Sequence, residues 1–311
     1  MELVVYKSER KTRVLRHAIV LGIVLIYALC FAAIKAGLQF APPLAFAGLR
    51  TFVAGIALLG IMRLRGESLL PPRGVWGAVL ALAFTATTLT YGAMFLSPGR
   101  TGAGIASVFG NIQSLFTLAL ASIFLGETLT RSKVIVLVLG LLGVTLIAYP
   151  AFATADAFGI SGAALALGAS ASTAVSNIIA KRMNLKSGLL AVAAWQLLLG
   201  GVPLFALAAW TERGASIIWN FEFIALLLFL ALVGTALLNA TWYWLLQFDD
   251  VSRLSLFFLL TPAFGLILAA LVFGETIGIF EIIGAATIVV GIGILSLEAE
   301  KSQHIAFSSV L

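Results

Sequence analysis

Charged residues are scarce in this chain of 311 residues. Asp, Glu, Lys and Arg make up 10% of it and hydrophobic residues 61%, whereas about a quarter of a soluble domain is charged. The polar surface that two water-facing domains of this length need is therefore missing, and a mean hydropathy of +1.12 indicates an integral membrane protein. We attribute the net charge of +6 to loops that face anionic lipid and expect no nucleic-acid partner.

The residues of common catalytic and metal sites are also nearly absent. A single cysteine, Cys30, excludes an internal disulfide and a cysteine-rich metal site. The two histidines, His17 and His304, lie at span ends or beyond and cannot form an intramembrane protease site. The sequence also lacks a P-loop for ATP. We therefore expect no enzyme, no metal, no cofactor and no ATPase subunit.

Long apolar runs are what the chain has in abundance. A helix that crosses the bilayer needs roughly 20 mainly apolar residues, and charge, Pro and polar clusters divide the chain into ten such runs. They span 17–34, 43–62, 75–96, 102–125, 134–149, 159–180, 188–210, 221–246, 254–273 and 279–297. The runs lack strand-like alternation and exceed the length of a barrel strand. The sequence thus predicts an all-α membrane protein with ten transmembrane helices.

The basic residues favour one side of the membrane. The N-terminus and the loops after even-numbered spans carry nearly all Lys and Arg, whereas the other side has Lys35, Arg100 and Arg213. Because basic loops stay in the cytoplasm, we expect both termini to be cytoplasmic in a bacterial-type inner membrane.

The two halves of the chain resemble each other. The segment FLGET at 124–128 recurs as VFGET at 272–276, and at nearly the same offset Lys35 matches Lys181 and Arg50 matches Gln196. Each half contains five spans, and because five is odd the second copy must insert upside down. We therefore predict an inverted-topology repeat. Its parts are a cytoplasmic tail (1–16), a first repeat (17–150), a second repeat (159–297) and a second cytoplasmic tail (298–311).

Several short motifs carry a family resemblance. They are the Lys that ends the first span, Pro42-Pro43, Phe46-Ala47-Gly48-Leu49-Arg50, the FLGE segment that closes the fourth span, and Thr261-Pro262 with Gly274-Glu275 in the ninth. With these motifs the chain resembles the EamA-type branch of the drug/metabolite transporter superfamily over all ten spans. The resemblance implies a two-repeat exporter of amino acids or other small metabolites, similar to amino-acid exporters of the YddG type.

Polar residues in the middle of spans are candidates for the transport path. Such groups are costly in hydrocarbon unless they face a cavity or a partner. The predicted substrate-binding residues are Tyr27, Thr88, Tyr91, Ser107, Asn111, Ser114, Thr173, Asn177, Asn239, Trp242 and Tyr243. The aromatic members would suit an apolar or aromatic solute. The alternative is that these side chains only hold helices together.

Charged residues near the spans admit two interpretations each. Arg50, inside the second span, could meet a substrate carboxylate or tie helix ends together, and the sequence favours the second role. Glu127 and Glu275 each follow Gly at a helix end, where we expect capping or local pairing rather than proton transfer.

The acidic residues fall in loops, in the termini or at span ends, so proton coupling is unsupported. The preferred hypothesis is therefore uncoupled export of amino acids, aromatic or apolar ones included, or of similar metabolites, by alternating access. The alternative is a transporter or flippase for lipid-linked sugars, nucleotide sugars or drugs.

Overall fold

The computed structural model describes residues 2–97, 109–153, 159–184, 188–273 and 277–308. Within these ranges the chain forms ten helices and no strand. They are α1 (Glu2–Gly37), α2 (Pro43–Leu64), α3 (Arg73–Leu96), α4 (Phe109–Leu125), α5 (Arg131–Ala153), α6 (Gly159–Met183), α7 (Leu189–Thr211), α8 (Phe221–Leu245), α9 (251–273) and α10 (Ile279–Ser308).

The helices have the length and composition of membrane spans. Eight of those described are long and apolar enough to cross a bilayer, and two shorter apolar helices occupy Phe109–Leu125 and Ile279–Leu295. The prediction of an all-α protein with ten membrane helices is confirmed. The first seven residues expected in the fourth span, 102–108, lie outside the described part of the chain.

The first and last helices extend beyond the predicted spans. Helix α1 begins at Glu2, well before position 17, and α10 continues to Ser308, past position 297. Neither extension contains Gly or Pro, the residues that most strongly interrupt helices. Hydropathy marks where the apolar core of the membrane begins, and a helix can continue into water.

Helix packing follows the two predicted repeats. Helix α2 packs along α7 and α5 along α10, so that two matched pairs join the repeats. Further contacts also come in matched pairs: α3 contacts α7 as α8 contacts α2, and α4 contacts α6 as α9 contacts α1. Exchanging each helix with its counterpart in the other repeat therefore preserves these contacts, as an inverted repeat of five helices requires.

Glycines bring α5 and α10 into backbone contact. A Cβ atom added to Gly143 would lie 2.5 Å from the carbonyl oxygen of Gly284, and a Cβ atom added to Gly284 would lie 2.5 Å from that of Gly143. This reciprocal contact explains the small residues that the sequence places in both helices. It is the close packing typical of membrane helices, which lack a hydrophobic drive to associate in lipid.

Each repeat contains one π-helical segment that sequence reasoning did not predict. The segments are Ala83–Leu89 in α3 and Phe229–Leu237 in α8. Their hydroxyls bond in the same way: Thr88 Oγ1 donates to the carbonyl of Ala83 at 3.2 Å, and Thr235 Oγ1 to that of Leu230 at 2.8 Å, each five residues back. Segments of this kind are rare and are frequent at functional sites. Both lie in helices that line the cavity described next.

Candidate substrate cavity

A cavity of about 120 Å³ lies between the two repeats. Helices α1, α3 and α4 of the first repeat and the corresponding α6, α8 and α9 of the second contribute its lining residues. Its volume is several times the roughly 10–15 Å³ that a single water needs by a comparable measure. None of the described lining residues is charged. The cavity therefore lies where a transported solute would bind and is larger than a single water needs.

Seven of the eleven predicted residues line this cavity. They are Tyr27, Tyr91, Thr173, Asn177, Asn239, Trp242 and Tyr243. They come from both repeats, although up to about 200 residues separate them in sequence. The structure thus brings them together in one cavity, while their role in binding stays a prediction.

The other four predicted residues do not line it. Thr88 instead donates to the carbonyl of Gly200 at 2.8 Å and ties α3 to α7. Ser114 donates to the carbonyl of Ser255 at 2.9 Å and ties α4 to α9. Asn111 is buried away from the lining, and Ser107 falls outside the described residues. For Thr88 and Ser114 the structure thus supports the alternative of interhelical bonding.

Some lining residues were missed by sequence reasoning. Gln113 faces the cavity in place of its neighbour Ser114, from which it points about 100° away around the helix. Ser176 lies three residues after Thr173, so helical spacing from a predicted residue would have found it. Thr90 Oγ1 lies 3.2 Å from Thr173 Oγ1 across the repeat interface. Thr90 directly precedes Tyr91 in the chain, and no sequence pattern marked it as a lining residue.

A hydrogen-bonded network forms one wall of the cavity. Tyr243 donates its hydroxyl to Gln196 Oε1 at 2.6 Å, and Gln196 Nε2 donates to Asn239 Oδ1 at 3.2 Å. Asn239 Nδ2 donates in turn to the carbonyl of Thr235 at 2.9 Å. The polar groups of this wall are therefore held in fixed orientations, which a selective site needs.

Aromatic rings supply the apolar part of the cavity lining. Phe258 of α9 meets Tyr27 at a centroid distance of 5.3 Å and Trp242 at 5.3 Å, both edge to face. Trp242 also donates its indole N–H to Asn177 Oδ1 at 3.0 Å. The cavity thus combines amide groups with an aromatic surface, as a small solute with one polar and one apolar end requires.

Arg50 lies directly behind the cavity wall. Its side chain is 1% exposed. Nε donates to Thr235 Oγ1 at 2.6 Å and Nη2 to the carbonyl of Gly234 at 2.9 Å, so that α2 is tied to the π-helical part of α8. The guanidinium carbon lies 4.9 Å from the centroid of the Tyr91 ring, within cation–π range. Arg50 thus ties α2 to α8, as one of its two expected roles requires, but the contact lies in the middle of α8 and not at a helix end.

At one end of the bundle, basic groups surround the connection between α8 and α9. Arg16 Nε pairs with Asp249 at 3.0 Å, and Lys133 pairs with Asp250 at 3.1 Å. Lys181 donates to the carbonyl of Asp249 at 2.7 Å. We call these three basic residues, together with Glu127, the clamp. The sequence predicted that these basic residues lie on one side of the membrane.

Glu127 of the clamp caps the beginning of α9. Its carboxylate accepts bonds from the backbone N–H of Val251 at 2.9 Å, from that of Ser252 at 3.1 Å and from the Ser252 hydroxyl. The expectation that Glu127 acts as a cap is confirmed, but the helix that it caps is distant in sequence and not local, and Glu275 lies outside the described residues. Because Glu127 belongs to the first repeat and α9 to the second, this cap joins the two repeats.

Comparison with known proteins agrees with this arrangement. The model of the EamA-like transporter family matches residues 16–149 and again 160–297. The chain belongs to the EamA-like transporter family. The double match falls on the two five-helix repeats, and membership means a multi-pass membrane protein that carries a small-molecule substrate through the lipid bilayer.

Individual relatives cover nearly the whole chain. The chain is 28% identical over 292 residues to "Uncharacterized transporter YvbV" of Bacillus subtilis, covering 94% of this chain and 95% of that protein. It is 31% identical over 281 residues to "Probable amino-acid metabolite efflux pump" of Salmonella typhimurium, covering 87% and 91%. A pump of the same name from Escherichia coli is 28% identical over 280 residues, covering 87% and 91%.

A solved structure shares the fold. The protein titled "Crystal structure of protein" superimposes with a TM-score of 0.76 at 17% identity, covering 91% of this chain and 98% of that one. At this identity the likeness concerns the fold alone.

Proposed function

We propose that this protein exports amino acids, including apolar and aromatic ones, or similar small metabolites across the inner membrane of a bacterial-type cell. The observation that carries the proposal is the cavity between the repeats, which joins an amide-lined wall to the aromatic rings of Tyr27, Trp242 and Phe258. The relatives named as amino-acid metabolite efflux pumps support the substrate class. The clamp end faces the cytoplasm, because basic loops are retained there.

Alternating access between the repeats is the proposed mechanism. The cavity lies where six helices of the two repeats meet, so rocking one repeat against the other would open it to either side in turn. Opening towards the cytoplasm requires the clamp to release the connection between α8 and α9. The described lining residues include no acid and no histidine, and transport is therefore proposed to proceed without proton coupling.

Counterflow into proteoliposomes tests the substrate class. Purified protein is reconstituted and loaded with unlabelled amino acids, and uptake of a radiolabelled panel including phenylalanine is followed with and without a pH gradient. We expect saturable flux that the gradient leaves unchanged. Accumulation driven by the gradient would contradict the uncoupled mechanism. Flux of sugars, drugs or lipids in place of amino acids would contradict the proposed substrate.

Two tryptophans of α8 give a matched pair of variants. Trp242 lines the cavity and bonds Asn177, whereas Trp244 is 38% exposed and packs on Phe248. Trp242→Ala should reduce counterflow at least about tenfold, since it removes both the ring and its polar contact. Trp244→Ala should leave flux near wild type. Equal flux in the two variants, at equal folded yield, would remove Trp242 from the transport path.

A further inference from the structure

The described residues do not fully satisfy the hydrogen-bonding groups of the Arg50 guanidinium. Nε and Nη2 each have one partner, but Nη1 is buried and has none among the described residues. The Cys30 thiol packs beside the guanidinium, and a thiol sulfur is only a weak acceptor. An arginine has five donors and stays charged in proteins. This side chain therefore retains a free capacity to bind an acceptor.

The charge of Arg50 also lacks a counter-ion among the residues that the structure describes. The ion pairs found in the described part of the chain involve Arg16, Arg65 and Lys133, and none includes Arg50. The ring of Tyr91 offsets part of the charge through its π face. A buried charge with incomplete partners is costly and is usually found where a ligand or a pathway needs it.

The unpaired charge lies within reach of the cavity. Both Tyr91, which covers the guanidinium, and Gly234, whose carbonyl binds Nη2, are lining residues. The guanidinium is thus one residue layer behind the wall, and no described lining residue carries a charge that would oppose it. In a low-dielectric interior its positive potential extends into the cavity.

The second repeat shows that packing alone does not require this charge. Gln196 holds the position that corresponds to Arg50, is fully buried, and bonds Asn239 and Tyr243 through its amide. A neutral amide therefore suffices at this point of the fold when only helices are to be joined. The asymmetry between the two repeats gives the cavity one positive side.

We propose that Arg50 recognises a carboxylate of the transported solute, with the side chain of Tyr91 moving aside as the carboxylate approaches Nη1. The cavity then selects carboxylate-bearing solutes and places their apolar part against Trp242 and Phe258. This inference rests on the proposed function, because it assumes that the cavity holds the transported solute. It narrows the substrate class to carboxylates, and an ammonium group is not required.

Three related probes test the inference on the purified full-length protein. L-Phenylalanine carries both charges, 3-phenylpropionate has only the carboxylate, and L-phenylalaninamide has a neutral amide in place of the carboxylate. Binding of each is measured by isothermal titration calorimetry, which needs no transport. We expect both carboxylates to bind at least about tenfold more tightly than phenylalaninamide, as loss of a charged hydrogen bond implies. Equal affinities for the three probes, or no binding of either carboxylate, would overturn the inference.

Variants at Arg50 separate recognition from structure. Arg50→Gln copies the second repeat and should reduce the preference for phenylalanine over its amide to within about twofold, whereas Arg50→Lys should retain a preference. A merely structural role would weaken all probes equally and leave the ratio unchanged, which would refute the inference. Folding of Arg50→Gln is judged by size-exclusion chromatography. If this variant does not fold, the inference is tested by the ratio of the affinities for phenylalanine and phenylalaninamide in the wild type and in Arg50→Lys.

The two proposals can fail separately. Phenylalanine counterflow together with equal binding of phenylalaninamide would overturn the role of Arg50 and leave amino-acid transport standing. Selective binding of 3-phenylpropionate without any amino-acid flux would support the role of Arg50 and overturn the proposed substrate.

Discussion

Replacing Glu127 by Gln should loosen the clamp and open the cavity at that end of the bundle. The Glu127 side chain is 8% exposed, and its two oxygens accept three bonds from Val251 and Ser252. Glutamine has nearly the same size but only one acceptor oxygen and no charge. The variant therefore removes part of the contact between the repeats without leaving a large void.

The magnitude follows from the bonds that are lost. A hydrogen bond to a charged group contributes about 1.5–3 kcal/mol, and a carboxylate at a helix N-terminus gains about 0.3–1 kcal/mol from the helix dipole. If one such bond and the dipole contribution are lost, the clamped state is weakened by about 2–4 kcal/mol. That energy corresponds to about a 30- to 700-fold shift of the equilibrium towards the released state.

Thiol labelling can measure this shift. Ser176, which is 6% exposed and lines the cavity, is replaced by Cys in a chain whose one cysteine, Cys30, is replaced by Ala. A water-soluble thiol reagent is then added from the clamp side. We expect Glu127→Gln to raise the labelling rate at least about tenfold. This figure is smaller than the calculated shift because the remaining contacts of the clamp can compensate in part for the lost bond.

Glu222 supplies the matched control. It lies in the first turn of α8, at the opposite end of the bundle, and its side chain is exposed, so Glu222→Gln should leave the labelling rate unchanged. If Glu127→Gln also left the rate unchanged at a normal folded yield, the clamp would not govern access and the reasoning would be refuted.

Two further predictions concern stability, measured as the thermal midpoint of unfolding in detergent. Gly143→Ala should destabilise the protein by about 3 kcal/mol, the upper part of the overpacking range, because the new methyl group meets the backbone oxygen of Gly284. Gly293→Ala, with open space around it, should be neutral or slightly stabilising, and equal midpoints would contradict the close contact. Thr235→Val should cost about 2 kcal/mol because Arg50 Nε loses its acceptor. Thr241→Val, at a half-buried site where the hydroxyl donates to the carbonyl of Leu237 in the same helix, should cost little, and a similar loss in both variants would show that the bond to Arg50 is not the cause.

The sequence was sufficient for the ten helices and for their division into two repeats. Length and hydropathy determine which segments can cross a bilayer, because lipid cannot satisfy backbone groups and only a continuous helix can. The odd number of spans in each half then required the inverted arrangement. The helix-ending glycine before Glu127 also predicted a capping role for this residue, but not that the capped helix, α9, belongs to the other repeat.

Tertiary structure decided which polar side chains face the cavity. Helical periodicity shows that Ser107, Asn111 and Ser114 share a face, but it does not show whether that face meets a cavity or a neighbouring helix. The π-helical segments of α3 and α8 also change the rotation of every later residue in their helices. In α4, Gln113 faces the cavity and Ser114 bonds α9.

The environment of Arg50 likewise depended on tertiary contacts. The sequence placed a charge inside α2, but the partners that hold it, Thr235 and Gly234, lie in the other repeat, about 185 residues away. Side chains that distant in sequence meet only when the repeats pack together. Local propensity therefore determined where the helices begin and end, and the packing of one repeat against the other determined which residues form the site.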